Sequence, residues 1–213
     1  MSDLHLDLGS GPIAHPGWVG IDRSPNLLLQ KVPGAKRLLH KAGLLGDLHM
    51  IPWSPEIKRV NMIKGLPYAD NSVAAIYSSH AFEHIYLDEV RGILAECHRV
   101  LRPGGVIRLA LPDGEQWARD LLAGDHDEGE PPGLTYNMRL GSHTTQRPAG
   151  IRKLIGAAGG HLHRWQPTRD LVRDLLVKSG FSDVIEREFR QGDLPDLETI
   201  EARPESFFFE ARA

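Results

Sequence analysis

The stretch LHLDLGSGPIAHPGWVGID, residues 4–22, constrains the fold more than any other part of the chain. An apolar run holding Asp7 ends in Gly9-Ser10-Gly11, and a second acid, Asp22, stands eleven residues after Gly11 at the end of another apolar run. Read as strand, turn and strand, the stretch bares backbone at its glycines, which accept left-handed angles and let a ligand come close. A phosphate-cradling P-loop requires G-x-x-x-x-G-K-[ST], and no Lys-Ser or Lys-Thr follows here. A dinucleotide fold requires a helix opening at the glycines, so that its N-terminus neutralises the pyrophosphate. Pro12 and then Pro16-Gly17 leave almost no room for that helix.

The plain alternative is turn chemistry, since a short G-x-G after a strand also occurs without a ligand. A third reading is a ligand with a nucleoside and no phosphate. S-adenosylmethionine meets that description. Its ribose diol suits a carboxylate at the end of the second strand, which is the place of Asp22, and its methionine end can approach the backbone of Gly9 and Gly11.

The rest of the chain reads as an α/β protein. Short apolar runs at Leu4–Leu8, Trp18–Ile21, Arg59–Ile63, Val73–Ser78 and Val106–Leu111 suit strands of a parallel sheet buried on both faces. Between the last two, Val90, Ile93, Leu94, Cys97, Val100 and Leu101 repeat at helical spacing, and Pro103-Gly104-Gly105 ends the helix. Strand, helix and strand in that order make a right-handed βαβ unit. A second helix is expected over Pro167–Ser179, with Leu171, Leu175 and Leu176 on one face and Gly180 as its stop. FSDVIEREF and ESFFFEAR read as strands whose short linker favours an antiparallel closing pair. The 213 residues suggest one domain with lid-like insertions. One, at about 23–58, holds a helix candidate in AKRLLHKAGLLGDL; the other, at about 124–165, opens on the acidic loop GDHDEGEPPG.

A net charge of -3 and a pI near 6.4 speak against a broad phosphate-backbone footprint, so no nucleic-acid partner is expected. No apolar run approaches the roughly 18 residues of a membrane span. The stretch MSDLHLDLG shows no positively charged region and no apolar core of signal-peptide length, so no signal peptide is expected, and the single cysteine, Cys97, fits a reducing compartment. Both point to the cytoplasm.

The motifs LDLGSG, VGID, GLPYADNSV, IYSSHAFEHI and AECHRVLRPGGVIRLALPD, in this order across residues 4–113, resemble the class I S-adenosylmethionine-dependent methyltransferases. WQPTRDLVRDLLVKSGFSDV resembles that family's last crossover helix and strand. The resemblance implies an α/β, Rossmann-like sheet of seven strands, mostly parallel with an antiparallel C-terminal strand. It implies Asp7, Gly9, Ser10 and Gly11 in the glycine loop and Asp22 on the ribose. Asn61 falls where many relatives carry an Asp that accepts the adenine amino group, and an Asn oxygen can accept the same bond. Ser79 and His80 would lie beside the methionine portion. Ala74 departs from the family, in which an Asp is frequent, and the first crossover is much shorter than usual. Short members of this layout with a C-terminal HRW element resemble enzymes associated with polysaccharide and cell-envelope glycan synthesis, among them mycobacterial 1-O-methyltransferases of methylmannose polysaccharides.

Methyl transfer is an in-line displacement from a sulfonium, so the protein mainly positions the acceptor and excludes water. A hydroxyl acceptor also needs a base. His143 in the acceptor-side insertion ranks first for that role, His163 before the last crossover helix second, and His84 third. Trp53, Trp117, Tyr136 and Trp165 lie in or near the expected rim, and flat aromatics suit the CH face of a sugar. The expected activity is therefore O-methylation of a sugar hydroxyl, on a small-molecule or oligosaccharide acceptor. A small natural product as acceptor, or a non-catalytic S-adenosylmethionine-binding module, are the alternatives. HAFEH also matches the H-x-x-E-H zinc-protease pattern, which needs both histidines on one helical face. A Mg2+ ion held by Asp113 or Glu115 is a minor option. An exposed Phe207–Phe209 strand would favour a homodimer.

Overall fold

Two strands flank the opening turn. β1 (His5–Leu8) and β2 (Trp18–Asp22) pair in parallel with no helix between them, as Pro12 and Pro16 dictate. The computed structural model describes residues 3–141 and 162–213, apart from the side chain of Leu48. β3 (Lys58–Arg59), β4 (Val73–Ser79), β5 (Leu101–Pro112), β6 (Ser182–Arg187) and β7 (Ser206–Arg212) complete a seven-stranded sheet of order β3-β2-β1-β4-β5-β7-β6. β7 runs antiparallel to both β5 and β6, and the other pairings are parallel. The chain winds outward from β1 to β3, then returns to β4 and proceeds the other way. The order reverses between β1 and β4, and a crevice opens at the carboxyl ends of strands at such a switch.

Helix α3 (Leu87–Val100) forms where the apolar period predicts it. It buries Val90, Ile93, Leu94, Cys97 and Val100 against Leu6, Leu8, Ile76 and Ile107 of the sheet. Burial of a side chain such as Ile93 or Leu94 contributes roughly 1.5–3 kcal/mol. Helix α6 (Arg169–Lys178) joins the same face through Val172, Leu175 and Leu176, while Leu171 is only partly buried. On the opposite face, Leu194, Leu197 and Ile200 cover Trp18, Tyr77 and Phe208; the last two of the three belong to the one-turn helix α7 (Leu197–Ile200). α1 (Asn26–Leu29), α2 (Ala35–Lys41), α4 (Gly114–Ala123) and α5 (Pro132–Arg139) are peripheral. Among the described residues, no helix is long and apolar enough to cross a membrane.

Three expectations change. The strand expected over Arg59–Ile63 shrinks to two residues, because Asn61 caps a 3-10 turn, Met62–Lys64, by accepting the Ile63 amide at 3.3 Å. β5 begins directly after α3, and its register jumps from Val73–Leu101 to Ala75–Val106, so Arg102–Gly105 bulge out instead of separating helix from strand. Phe207, Phe208 and Phe209 are buried, not exposed, because β7 is inserted between β5 and β6; their basis for a homodimer is gone. The acidic loop after α4 is organised by Arg139, whose guanidinium holds Asp120 at 2.9 Å, Asp127 at 3.0 Å and Asp125 at 3.4 Å.

Candidate cofactor and acceptor site

The glycine turn is locked to the end of β2. The amides of Gly9 and Ser10 both donate to the Ile21 carbonyl, at 2.7 and 3.2 Å. Gly9 has φ +73°, and a Cβ there would lie 2.3 Å from the Ala81 Cβ, so no larger residue fits. The Asp22 carboxylate spans the turn, with Oδ2 accepting from the Gly11 amide at 3.1 Å and Oδ1 from the Ser24 amide at 2.6 Å. Burial pushes its pKa up, while those amides pull it down. Asp7, 4% exposed on β1, is pushed up to about 7 by burial and by the charge of Asp22. The Ser10 hydroxyl is buried without a hydrogen-bond partner. A bare backbone cradle, an orphan hydroxyl and a fixed carboxylate together fit the adenosine and methionine ends of S-adenosylmethionine.

A second constellation stands at the end of β4. Ser79 closes the strand, and His80 follows in a left-handed conformation at φ +47°, uncommon for a residue with a side chain. His80 Nε2 lies 2.8 Å from the Ser206 hydroxyl, and burial, with Arg203, His163 and His84 nearby, pulls its pKa down to about 3. Glu83 is wholly buried, and neither carboxylate oxygen has a hydrogen-bond partner. Its Oε1 lies 3.5 Å from His80 Nδ1 and 3.9 Å from His84 Nε2. Burial pushes the Glu83 carboxyl up to about 7 against the pull of Arg203.

The chain after residue 161 is stitched onto this loop. The Arg164 amide donates to the Glu83 carbonyl at 2.7 Å, the Trp165 indole N–H to the Phe82 carbonyl at 3.1 Å, and the His163 amide to the Gly141 carbonyl at 3.0 Å. His163 therefore meets His84 edge-on at 5.0 Å and stacks on Trp117 at 6.5 Å, with 13° between the planes. Its Nδ1 is buried and unpartnered, and burial lowers its pKa, so the ring is neutral at physiological pH.

The structure thus gathers Asp7, Gly9, Ser10, Gly11 and Asp22 in one place, and His80, His84, Trp117 and His163 in another. The Gly9–Ala81 approach joins the two. Asn61 spends its side-chain oxygen on the Ile63 amide and on Arg23, 3.5 Å away. Trp165 is an anchor packed on the core rather than a free platform. Tyr136 is half-buried on α5. Trp53 lines a cavity of about 320 Å3 with Leu27, Gln30, Ile57 and Arg59, on the β3 side of the sheet. Asp113 and Glu115 do not present themselves to a Mg2+ ion: Asp113 caps α4, and both carboxylates are held by Arg169 at 2.8 and 3.3 Å. His143 lies outside the described residues. Sequence reasoning missed Glu83, which carries the least satisfied charge of the site; the one signal for it was its place in H-x-x-E-H.

The sheet order is that of a Rossmann-like α/β fold, and residues 7–109, just under half of the chain, match the family described as "Methyltransferase domain". A malonyl-[acyl-carrier protein] O-methyltransferase of Coxiella burnetii is 48% identical over 84 residues, which are 38% of this chain. The match spans only 28% of that relative's length. A SAM-dependent methyltransferase from Archaeoglobus fulgidus superposes with a TM-score of 0.54 at 12% identity, over 99% of this chain and 86% of its own. One from Methanosarcina mazei is 21% identical, with a TM-score of 0.48 over 100% of this chain and 93% of its own. The Archaeoglobus likeness, at 12% identity, is one of fold alone.

Proposed function

We propose that the protein is an S-adenosylmethionine-dependent O-methyltransferase whose acceptor is the hydroxyl of a sugar, a mannoside or another glycan or glycolipid precursor. The observation that carries this reading is His163: a neutral imidazole with an unpartnered Nδ1, flat against Trp117, beside the loop that packs on Gly9. The bound cofactor supplies an activated methyl group. The chain's own part is to hold and to deprotonate. Asp22 accepts the ribose hydroxyls, the Gly9–Gly11 backbone takes the methionine end, and Trp117 offers an aromatic face to the acceptor. With donor and acceptor bound, His163 would take the hydroxyl proton at Nδ1 as the oxygen bonds to the methyl carbon and the carbon–sulfur bond breaks, the sulfur leaving as a neutral thioether.

The Coxiella relative favours a second reading, in which the acceptor is a carboxylate. A carboxylate at neutral pH is already ionised and needs no base.

One experiment separates the two. The protein is incubated with methyl-labelled cofactor and, in parallel, with mannosides, glucosides, glycolipids and a malonyl thioester, and labelled products are treated with mild alkali. The sugar reading expects an alkali-stable ether. An alkali-labile methyl ester, formed on the thioester alone, overturns it. Calorimetric binding of the cofactor without transfer to any acceptor would leave a binding module.

A further inference from the structure

HAFEH, residues 80–84, presents two histidines and a glutamate in a zinc-binding order. The fold splits that order: His80 turns to Ser206, while Glu83 and His84, on the 3-10 turn Phe82–His84, meet His163 from a remote part of the chain. We propose that Glu83, His84 and His163 form a binding site for one divalent transition-metal cation, zinc fitting best.

Three observations carry the assignment. One ligand atom from each residue lies within 4.8 Å of the other two. Ligand atoms around a tetrahedral zinc, with bonds of about 2.0–2.1 Å, stand roughly 3.4 Å apart, so a small turn of the imidazoles closes the site. Second, Glu83 is wholly buried with neither oxygen hydrogen-bonded. Its nearest groups are His80 Nδ1 at 3.5 Å and His84 Nε2 at 3.9 Å, and a buried carboxylate so placed, with no hydrogen bond, calls for a water or an ion. Third, the histidines are prepared as ligands. The His84 Nδ1 lies 3.4 Å from the Leu162 carbonyl, which holds the ring in place, and its Nε2 lies 3.9 Å from the Glu83 carboxylate. His163 offers a buried Nδ1 with no partner. The Arg164–Glu83 backbone bond fixes the two halves relative to each other before any ion arrives.

Two imidazoles and one carboxylate suit zinc, cobalt or manganese better than calcium, which prefers oxygen ligands throughout. Three protein ligands leave an open coordination position, as in catalytic rather than structural zinc sites. Metal binding does not depend on the methyl-transfer reading. Within that reading it deepens the site, because a cation there would lower the pKa of the acceptor hydroxyl in place of His163.

The test uses the full chain, stripped with chelator and titrated with Co2+ in the visible range and with Zn2+ by calorimetry. One equivalent of Co2+ per chain is expected, with a d–d band of low coordination number that Zn2+ displaces. Glu83→Gln and His163→Gln should each weaken binding about 100-fold or more, while Asp113→Asn leaves it unchanged. His163 is half-exposed, so its variant keeps the question open to refutation even if Glu83→Gln unfolds, which a thermal melt would reveal. No stoichiometric binding, or variants that bind like the wild type, would overturn the site. S-adenosylmethionine binding measured on the same samples keeps the two readings apart. Cobalt without cofactor leaves the metal site standing and sinks the methyltransferase; cofactor without cobalt does the reverse.

Discussion

At the scale of single residues, the proposed cofactor site turns on Asp22. Its carboxylate already accepts two amides, so its position is fixed before any ribose arrives. Asp22→Ala is expected to lower S-adenosylmethionine affinity by about 100-fold or more, at roughly 1.5–3 kcal/mol for each charge-assisted bond lost. The far-UV spectrum should be preserved; calorimetry showing near-wild-type affinity would refute the role. Asp7 gives a pH signature. Its carboxyl rises from the ordinary 3.8 to about 7, so the folded chain favours the protonated form. Its stabilising share is complete below about pH 4 and is lost as pH climbs toward 7, on the order of 2–4 kcal/mol. A cationic cofactor favours the carboxylate, so affinity should rise as pH passes 7. Asp7→Asn should flatten both curves, in thermal melts and in calorimetry; unchanged curves would remove Asp7 from the site. The glycine turn and its acid were legible because they are local: eleven residues separate Gly11 from Asp22. Glu83 was not, because its neighbour His163 is contributed by a distant part of the chain that only the fold brings near.

At the scale of elements, the linker between β6 and β7 is held by a charge inside the protein. Arg108 of β5 is wholly buried between Glu201 and Glu210, donates to the carbonyls of Glu188 and Gln191 at 2.9 Å each, and lies over the Phe208 ring at 4.8 Å. Arg108→Met would take the buried guanidinium from both carboxylates, leaving Glu210 to Arg187 and the amides of Asp193 and Leu194 and Glu201 to the Arg190 amide, and should cost about 3 kcal/mol, read as a lower urea midpoint. A midpoint within error of wild type would mean that the carboxylates are protonated or hydrated. The sequence showed the strands VIRLAL and FFFEAR but not this network, since alternation reports which side a residue faces and not what it meets there. The same limit explains β3 and the bulge in β5. The bulge is settled by its register with β4 and the short β3 by the Asn61-capped turn that follows it, whereas α3 was readable from its own period.

At the scale of the whole molecule, stability is unevenly spread. α3 buries five side chains in the main core, whereas α2 buries none and leaves Leu38 70% exposed. Amides of 35–41 should therefore exchange with deuterium far faster than those of 90–100. Equal protection would reveal that a second copy covers the α2 face. The seven-stranded plan was legible because its motifs recur in fixed order along the chain; what covers the crevice was not, because surface excursions obey no period. The amide of His163 donates to the carbonyl of Gly141 at 3.0 Å, and that of Arg164 to the carbonyl of Glu83 at 2.7 Å. Two backbone bonds therefore tie three distant stretches of sequence into one knot, and a single substitution that loosened it would disturb His84 and His163 together.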